Sequence, residues 1–325
     1  MRRFPKPRVV VSKCLGLGNC RFDGEEIKEK FIAKLNRRAI VIPFCPEEAA
    51  GLVGQRESIR LELVGDQRRF VQARAGADHT EPLTQACTNF LDSLEPVDGF
   101  ILKSRCATCG FKDVAVFQNG ARLGHEKGRG LMGGMVLERF GHLAIEDEGR
   151  LTNFRLREHF LTHLFIRAEL RELKAKRPTM NALIGFQSRV KLQLMACSQV
   201  DMRKLGSITA NHDHLPVEQV FDRYEQVLGE AFNRVPRYTS NINVLQHAFG
   251  YFKGLSPKEK QAFLAELERY REQKSPLSVP LTVARSYIER FDVKYLREQY
   301  FFEPYPEELA SIEDSGRGRR DEPQR

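Results

Sequence analysis

The sequence predicts an α/β domain built on a mostly parallel sheet, followed by an all-α domain. Three observations carry this reading. Short β-branched runs alternate with helical patterns through the first half of the chain, helical periodicity alone marks the second, and the strand-like runs of the first half each end in a cysteine.

The first run, RVVVSKC (8–14), ends in Cys14. A helical pattern follows over 24–36, with Ile27, Phe31, Ile32 and Leu35 on one face. AIVIPFC (39–45) reads as a second buried strand and ends in Cys45. A helix over 84–94 leads into GFILKSRC (99–106), which ends in Cys106, with Cys109 three residues on. Strands alternating with helices in this way imply a Rossmann-like order, and in open α/β sheets ligands sit where the strands' carboxyl ends converge. Cys14, Cys45 and one or both of Cys106 and Cys109 can therefore meet around a single centre.

From about Asn153 the strand runs stop. Phe154, Leu156, Phe160, Leu161, Leu164 and Phe165 mark one helix, Leu183, Phe186, Val190 and Leu194 the next, and Val217 to Ala231 a third. Ser256-Pro257-Lys258-Glu259 is a capping box with proline at the first helical position, opening a helix through Tyr270. Pro276 and Pro280 interrupt before a helix over 281–291. The boundary between the domains is expected between Gly149 and Leu156. The divisions are 1–152, 153–310 and a charged tail, 311–325, expected to be disordered.

The 325 residues are 41% hydrophobic, enough for two domains with proper cores. No apolar run approaches the ~20 residues of a membrane helix, and the three valines after the basic start are too few for a secretory signal. A cytoplasmic protein without membrane contact is expected, and no obligate protein partner is evident. Seven cysteines, an odd number with one close pair, argue for metal or catalysis over a disulfide framework. The net charge of +9 is spread over both halves, which carry 24 basic and 20 acidic side chains up to residue 153 and 28 and 23 after it. That balance suits a phosphate-bearing partner without a dedicated basic tail.

Thiolates bind zinc and iron–sulfur clusters alike, and spacing leaves both open. A redox Cys-x-x-Cys would need a helix starting at Cys106, which Gly110 disfavours. Cys87 and Cys197 fall on helical patterns and read as structural thiols, and Cys20 reads as a loop residue outside the ligand set. Glu47 either works on protons or caps the helix that follows. Arg56 and Glu57 either line the pocket or pair with each other. Lys103 and Arg105 either balance an anionic centre or are solvated. The glycine-rich run 124–140 opens a helix and reads as a tight loop near the cleft, with Arg129 a phosphate candidate. His212 and His214 read as a turn before a helix. In the helical half Arg189 and Lys191, and the set Asn243, Gln246, His247, Tyr251 and Lys253, are weighed as RNA contacts against ordinary solvated faces.

SKCLG (12–16), CRFDG (20–24), CPE (45–47) and SRCATCG (104–110) resemble the bacterial thiouracil desulfurase domain over roughly the first 150 residues. FQSRVKLQLMACS (186–198), NVLQHAFGYFK (243–253), VPLTVARSYI (279–288) and EPYP (303–306) resemble the helical YbgA-like domain. Proteins joining the two resemble tRNA 4-thiouridine desulfidases. The resemblance implies a [4Fe–4S] cluster held by Cys14, Cys45 and Cys109, with one iron lacking a protein thiolate. It implies Glu47 as the proton-transfer residue, and it places Cys106 where the family has a catalytic serine. A thiol there can exchange protons or ligate the fourth iron. The implied partner is tRNA, with Arg129, Arg189, Lys191, His247 and Lys253 as candidate RNA-binding residues. The expected reaction is hydrolytic removal of sulfur from 4-thiouridine to give uridine. The alternatives are the same chemistry on free thiouracil or another thiolated small molecule, a zinc-stabilised RNA-binding module without catalysis, or a Cys-x-x-Cys redox protein.

Overall fold

Val9, Val10 and Val11 are all buried, as are all four residues of the run Gly99–Leu102. Strands covered on both faces are apolar without alternation, and that is the signature of a parallel sheet packed between helices. The computed structural model describes residues 2–176, 178–311 and 313–314, with the side chains of 125 and 126 excepted. In chain order the first part is β1 (Arg8–Ser12), α1 (Lys30–Leu35), β2 (Ile40–Phe44), α2 (Pro46–Ala49), β3 (Ile59–Val64), β4 (Gln67–Gln72), α3 (Thr80–Asp92), β5 (Gly99–Leu102), β6 (Val114–Gln118), β7 (Ala121–Gly128), α4 (Leu131–Phe140) and β8 (Ala144–Asp147).

One sheet has the order β2-β1-β5-β8 and every pairing in it is parallel. The three strands read from the sequence are therefore neighbours, and their carboxyl ends share one edge. Val10, Phe100 and Leu102 pack against Cys87 and Leu91 of α3 and Met132 and Val136 of α4. A second sheet, β4-β3-β6-β7, was not foreseen; it is two hairpins joined by a parallel β3–β6 pairing. The second hairpin turns at Asn119 and Gly120, both at positive φ, the pairing that two-residue hairpin turns require.

The helix expected over 24–36 is present only from Lys30 to Leu35. Upstream, the Ile27 N–H donates to the Cys14 carbonyl at 2.9 Å, and Gly24 takes φ +77°. Residues 24–29 are thus drawn against the first cysteine loop and lose their helical ladder to it.

The glycine-rich run divides between β7 and α4, and its glycines serve packing. A Cβ on Gly133 would stand 2.4 Å from the Gly110 carbonyl oxygen, and one on Gly130 would stand 2.7 Å from that of Ala107. The N–H groups of Gly130 and Met132 donate to Gly110 and Thr108 carbonyls at 2.6 and 2.8 Å, so the start of α4 clamps the Cys106–Gly110 loop. Gly133→Ala is expected to cost about 1–3 kcal/mol through overpacking. A fall in the denaturant midpoint, with looser metal retention, would register it.

The second part is helical: α5 (Phe154–Ala175), α6 (Met180–Cys197), α7 (Gln199–Ala210), α8 (Val217–Ala231), α9 (Tyr238–Phe249), α10 (Pro257–Arg271), α11 (Ser278–Arg290) and α12 (Lys294–Arg297). Thr179 and Ser198 cap α6 and α7, and the capping box of Ser256 and Glu259 opens α10. Helix α11 starts at Ser278 and takes Pro280 into its first turn, where a proline costs no hydrogen bond. Helix α6 is buried on two faces: Leu183, Phe186, Val190 and Leu194 meet α8, while Leu192 and Ala196 join a cluster with Val244, Leu245, Phe263 and Ile288.

The described chain forms two compact units, Pro5–Phe160 with the residues from Glu307 on, and 2–4 with Leu161–Pro306, so the chain passes from one to the other within α5. The disorder expected for 311–325 falls, apart from Ser311, Glu313 and Asp314, outside the described residues. Among the described residues no helix is long and apolar enough to cross a membrane.

Candidate active site

Each cysteine loop is a turn that follows a parallel strand. Cys14 lies two residues beyond β1, Cys45 directly ends β2 and stands at the N-cap of α2, and Cys106 and Cys109 lie in the turns after β5. All seven cysteines are free thiols. Cys14, Cys20 and Cys45 form one group, in which Cys20 shares hydrogen bonds with both of the others. Cys106 and Cys109 form a second, hydrogen-bonded pair, and Cys109 stands within electrostatic reach of Cys45. No helix begins at Cys106; the Gly110 N–H closes a turn on the Cys106 carbonyl at 2.8 Å.

Thiols packed this closely compete for protons. The bond to Cys14 and burial push Cys20 up to about 11, and the bond to Cys20 together with burial holds Cys45 well above the usual thiol range. In the second pair the bond from Cys109 lowers Cys106 to about 7, and the same bond raises Cys109. Cys87 is fully buried in the apolar core, which pushes it up to about 12, and Cys197 is a partly buried thiol against the helical core, bonded by Gln193.

Glu47 does not cap α2. Its Oε2 accepts from Arg56 Nη2 at 2.5 Å, and its Oε1 accepts from Thr108 Oγ1 at 3.0 Å. The two side chains of the ion pair are 13% and 7% exposed, so the carboxylate is held by a guanidinium out of bulk water. Thr108 is a hub: its Oγ1 also lies 3.1 Å from Cys106 Sγ and 3.8 Å from Cys109 Sγ. A continuous line of polar contacts thus runs Arg56–Glu47–Thr108–Cys106. Arg56 pairs with Glu47 and not with Glu57, whose carboxylate accepts from the Arg74 and Ala75 N–H groups. Lys103 is taken by Glu148 at 2.6 Å, and Arg105 is exposed.

Cys20, read from the sequence as a loop residue outside the ligand set, is 6% exposed and lies within electrostatic reach of Cys14. Gly16, at φ +84°, is the turn that brings it back beside Cys14. Thr108 was missed, although its place between two cysteines was a usable signal.

The donor set fits a thiophilic centre. The thiols of Cys14, Cys20 and Cys45 and those of Cys106 and Cys109 stand at the ends of neighbouring strands, with Glu47 between Arg56 and Thr108. Lys13, paired to Glu48, lies within electrostatic reach of Cys20 and Cys45. Among the described residues no three His, Cys, Asp or Glu side chains close round a point as ligands of one bare ion do. An iron–sulfur cluster takes its cysteines on separate corners and so needs them further apart.

The candidate RNA residues lie on different elements: Arg129 before α4, Arg189 and Lys191 on α6, His247 on α9 and Lys253 after it. The Arg189 guanidinium is paired with Glu169, and the same carboxylate accepts from Tyr300. Arg129, Lys191, His247 and Lys253 are exposed. His247 meets Tyr251 edge-on at 5.8 Å, and Tyr251, 40% exposed, stacks on Tyr295 at 5.3 Å. Asn211 in the left-handed region ends α7, and His212 and His214 lie in the turn before α8.

Residues 9–148 match the family model described as 2-thiouracil desulfurase, and residues 191–306 match the one described as a protein of unknown function, DUF1722. A desulfurase-type α/β domain is thus joined to a helical DUF1722 domain. A relative from Escherichia coli (strain K12), described as uncharacterized protein YbgA, is 30% identical over 158 residues, which span 48% of this chain and 93% of the relative. The chain belongs to the YbgA family. Among solved structures, TudS, a [4Fe–4S]-dependent thiouracil desulfidase, is similar at 25% identity with a TM-score of 0.36, over 45% of this chain and 93% of that one.

Proposed function

We propose that this chain is an iron–sulfur desulfidase that removes sulfur from a thiolated uracil base, and that the base is 4-thiouridine in tRNA. The observation that carries the reading is the meeting of thiols from three adjacent parallel strands beside a carboxylate that is already held for proton transfer. A [4Fe–4S] cluster on Cys14, Cys45 and Cys109 supplies an iron without a protein thiolate, soft enough to take a thiocarbonyl sulfur. Arg56 and Thr108 fix both oxygens of Glu47, which takes a proton from the water that adds to the ring carbon and returns it to the departing sulfur. Cys106, in contact with Thr108, stands where its proton can join the same line. The balance is thiocarbonyl plus water giving carbonyl plus hydrogen sulfide, with no net electron transfer.

The choice of tRNA over the free base is supported by the charge of +9 and by the exposed rings of His247 and Tyr251, the latter backed by the half-buried Tyr295, on which unstacked bases can lie. The test compares iron-loaded protein on 4-thiouridine-containing tRNA and on free 4-thiouracil. A kcat/KM higher on tRNA, falling steeply as salt rises, is the expected result. Equal turnover of both substrates without salt dependence would move the assignment to the small molecule. Stoichiometric zinc without iron would move it to an RNA-binding module.

A further inference from the structure

The line Arg56–Glu47–Thr108–Cys106 is recessed: Glu47 and Arg56 leave 13% and 7% of their side chains exposed, and Thr108 is buried. A base that reacts there has to leave its stack and turn into the site, which lays the phosphates on either side of it against the rim. Other cations of the strand-end loops are already committed. Lys13 is paired with Glu48, Arg21 with Asp23, Arg56 with Glu47 and Lys103 with Glu148. Arg105 and Arg129 are exposed and have no carboxylate partner among the described residues.

Both are fixed to the reacting turn through the backbone. Arg105 directly precedes Cys106 and takes φ +57°, a left-handed conformation that glycine or asparagine reaches at less cost. The turn closes on it: a Cβ on Gly110 would stand 2.9 Å from the Cys106 carbonyl oxygen and 3.3 Å from the Arg105 nitrogen. Arg129 lies between two glycines pressed into the fold. A Cβ on Gly128 would stand 2.6 Å from Leu61, and the Gly130 N–H donates to the Gly110 carbonyl at 2.6 Å. Two guanidiniums without partners thus flank the turn Cys106–Gly110, one at its start and one against its end.

We infer that Arg105 and Arg129 form a phosphate clamp for the nucleotide whose base enters the site, taking the phosphates on its 5′ and 3′ sides. The inference rests on the proposed function and adds where the polynucleotide is gripped. A guanidinium suits the task, because its planar N–H pairs match phosphate oxygens and its charge persists at any working pH. The contacts are hydrogen bonds and charge alone. A free base has nothing to offer these residues, so the preference for a nucleotide begins within the α/β domain, beside the chemistry.

The test compares 4-thiouridine with 4-thiouridine 3′,5′-bisphosphate as substrates of the full chain, loaded with iron anaerobically. Arg105→Gln with Arg129→Gln is the test variant, and Lys34→Gln with Arg37→Gln is the charge-matched control. Lys34 and Arg37 are exposed and precede the amino end of β2, the end opposite the cysteines. The ratio of kcat/KM for the two substrates on one preparation cancels differences in folding and iron content. Wild type and control are expected to prefer the bisphosphate by about tenfold or more, and the test variant to lose most of that preference. In parallel, calorimetry of uridine 3′,5′-bisphosphate against uridine reads the clamp on the wild type without turnover. Equal use of both substrates by the wild type, a preference kept in the test variant, or one lost to the same extent in the control overturns the clamp and leaves the desulfidase reading standing. A wild type that binds the bisphosphate about tenfold more tightly than uridine but releases no sulfide supports the clamp and overturns the desulfidase reading.

Discussion

Glu47→Gln is expected to lower desulfidase turnover by about 10²–10⁴-fold per bound cluster, because an amide keeps the shape of the carboxylate and cannot carry its proton. Thr108 can still donate to the amide oxygen, so the line of contacts towards Cys106 survives in outline. The partner that suffers is Arg56. Its side chain is 7% exposed, and removing the charge opposite leaves a buried guanidinium unpaired, a change that costs about 3–5 kcal/mol in comparable sites. Stability and chemistry must therefore be read separately, the first by thermal midpoint and the second by kcat normalised to iron. Unchanged turnover per iron would remove Glu47 from the reaction and leave it a role only in holding Arg56 and Thr108.

Cys45→Ala is expected to abolish iron retention. Cys45 follows β2 and stands at the N-cap of α2, within electrostatic reach of Cys20 and Cys109. Alanine is sterically innocent at this N-cap, since the cysteine side chain makes no capping bond there. The fold should therefore persist while iron content drops to background, with loss of the visible absorption that a cluster gives. Cys197→Ala is the matched control: its thiol packs against the helical core, and its removal should leave iron unchanged. Iron retained at wild-type level in Cys45→Ala would refute the proposed ligand set.

How much of this could be read from residues alone differs from element to element. β1 and β5 were legible because strands in a covered parallel sheet must be unbroken runs such as Val9–Val11, and such runs stand out in any sequence. β2 was found as a strand, but the burial expected for it fails, because it is an edge strand with Ile40 and Pro43 exposed and its other residues only partly buried. The second sheet was not, because β4 reads QRRFVQ and presents charge to solvent along half its length, although Asn119–Gly120 was a turn signal that could have been used. The helix that shrank shows a tertiary override: Ile27 has the right spacing, and the Cys14 carbonyl takes its N–H. In the site, Glu47 and the four strand-end cysteines were marked by position. Arg56 was left open and Thr108 missed because their partners come from other loops at the sheet edge. The pairing of Arg189 with Glu169 was likewise hidden, because the carboxylate comes from another helix.

The most direct test of the whole account is a count of iron and acid-labile sulfide in anaerobically purified wild-type protein. About four of each per chain, in a brown protein, is the predicted result. A colourless protein holding zinc, or thiols with no metal bound after anaerobic reconstitution, would contradict it.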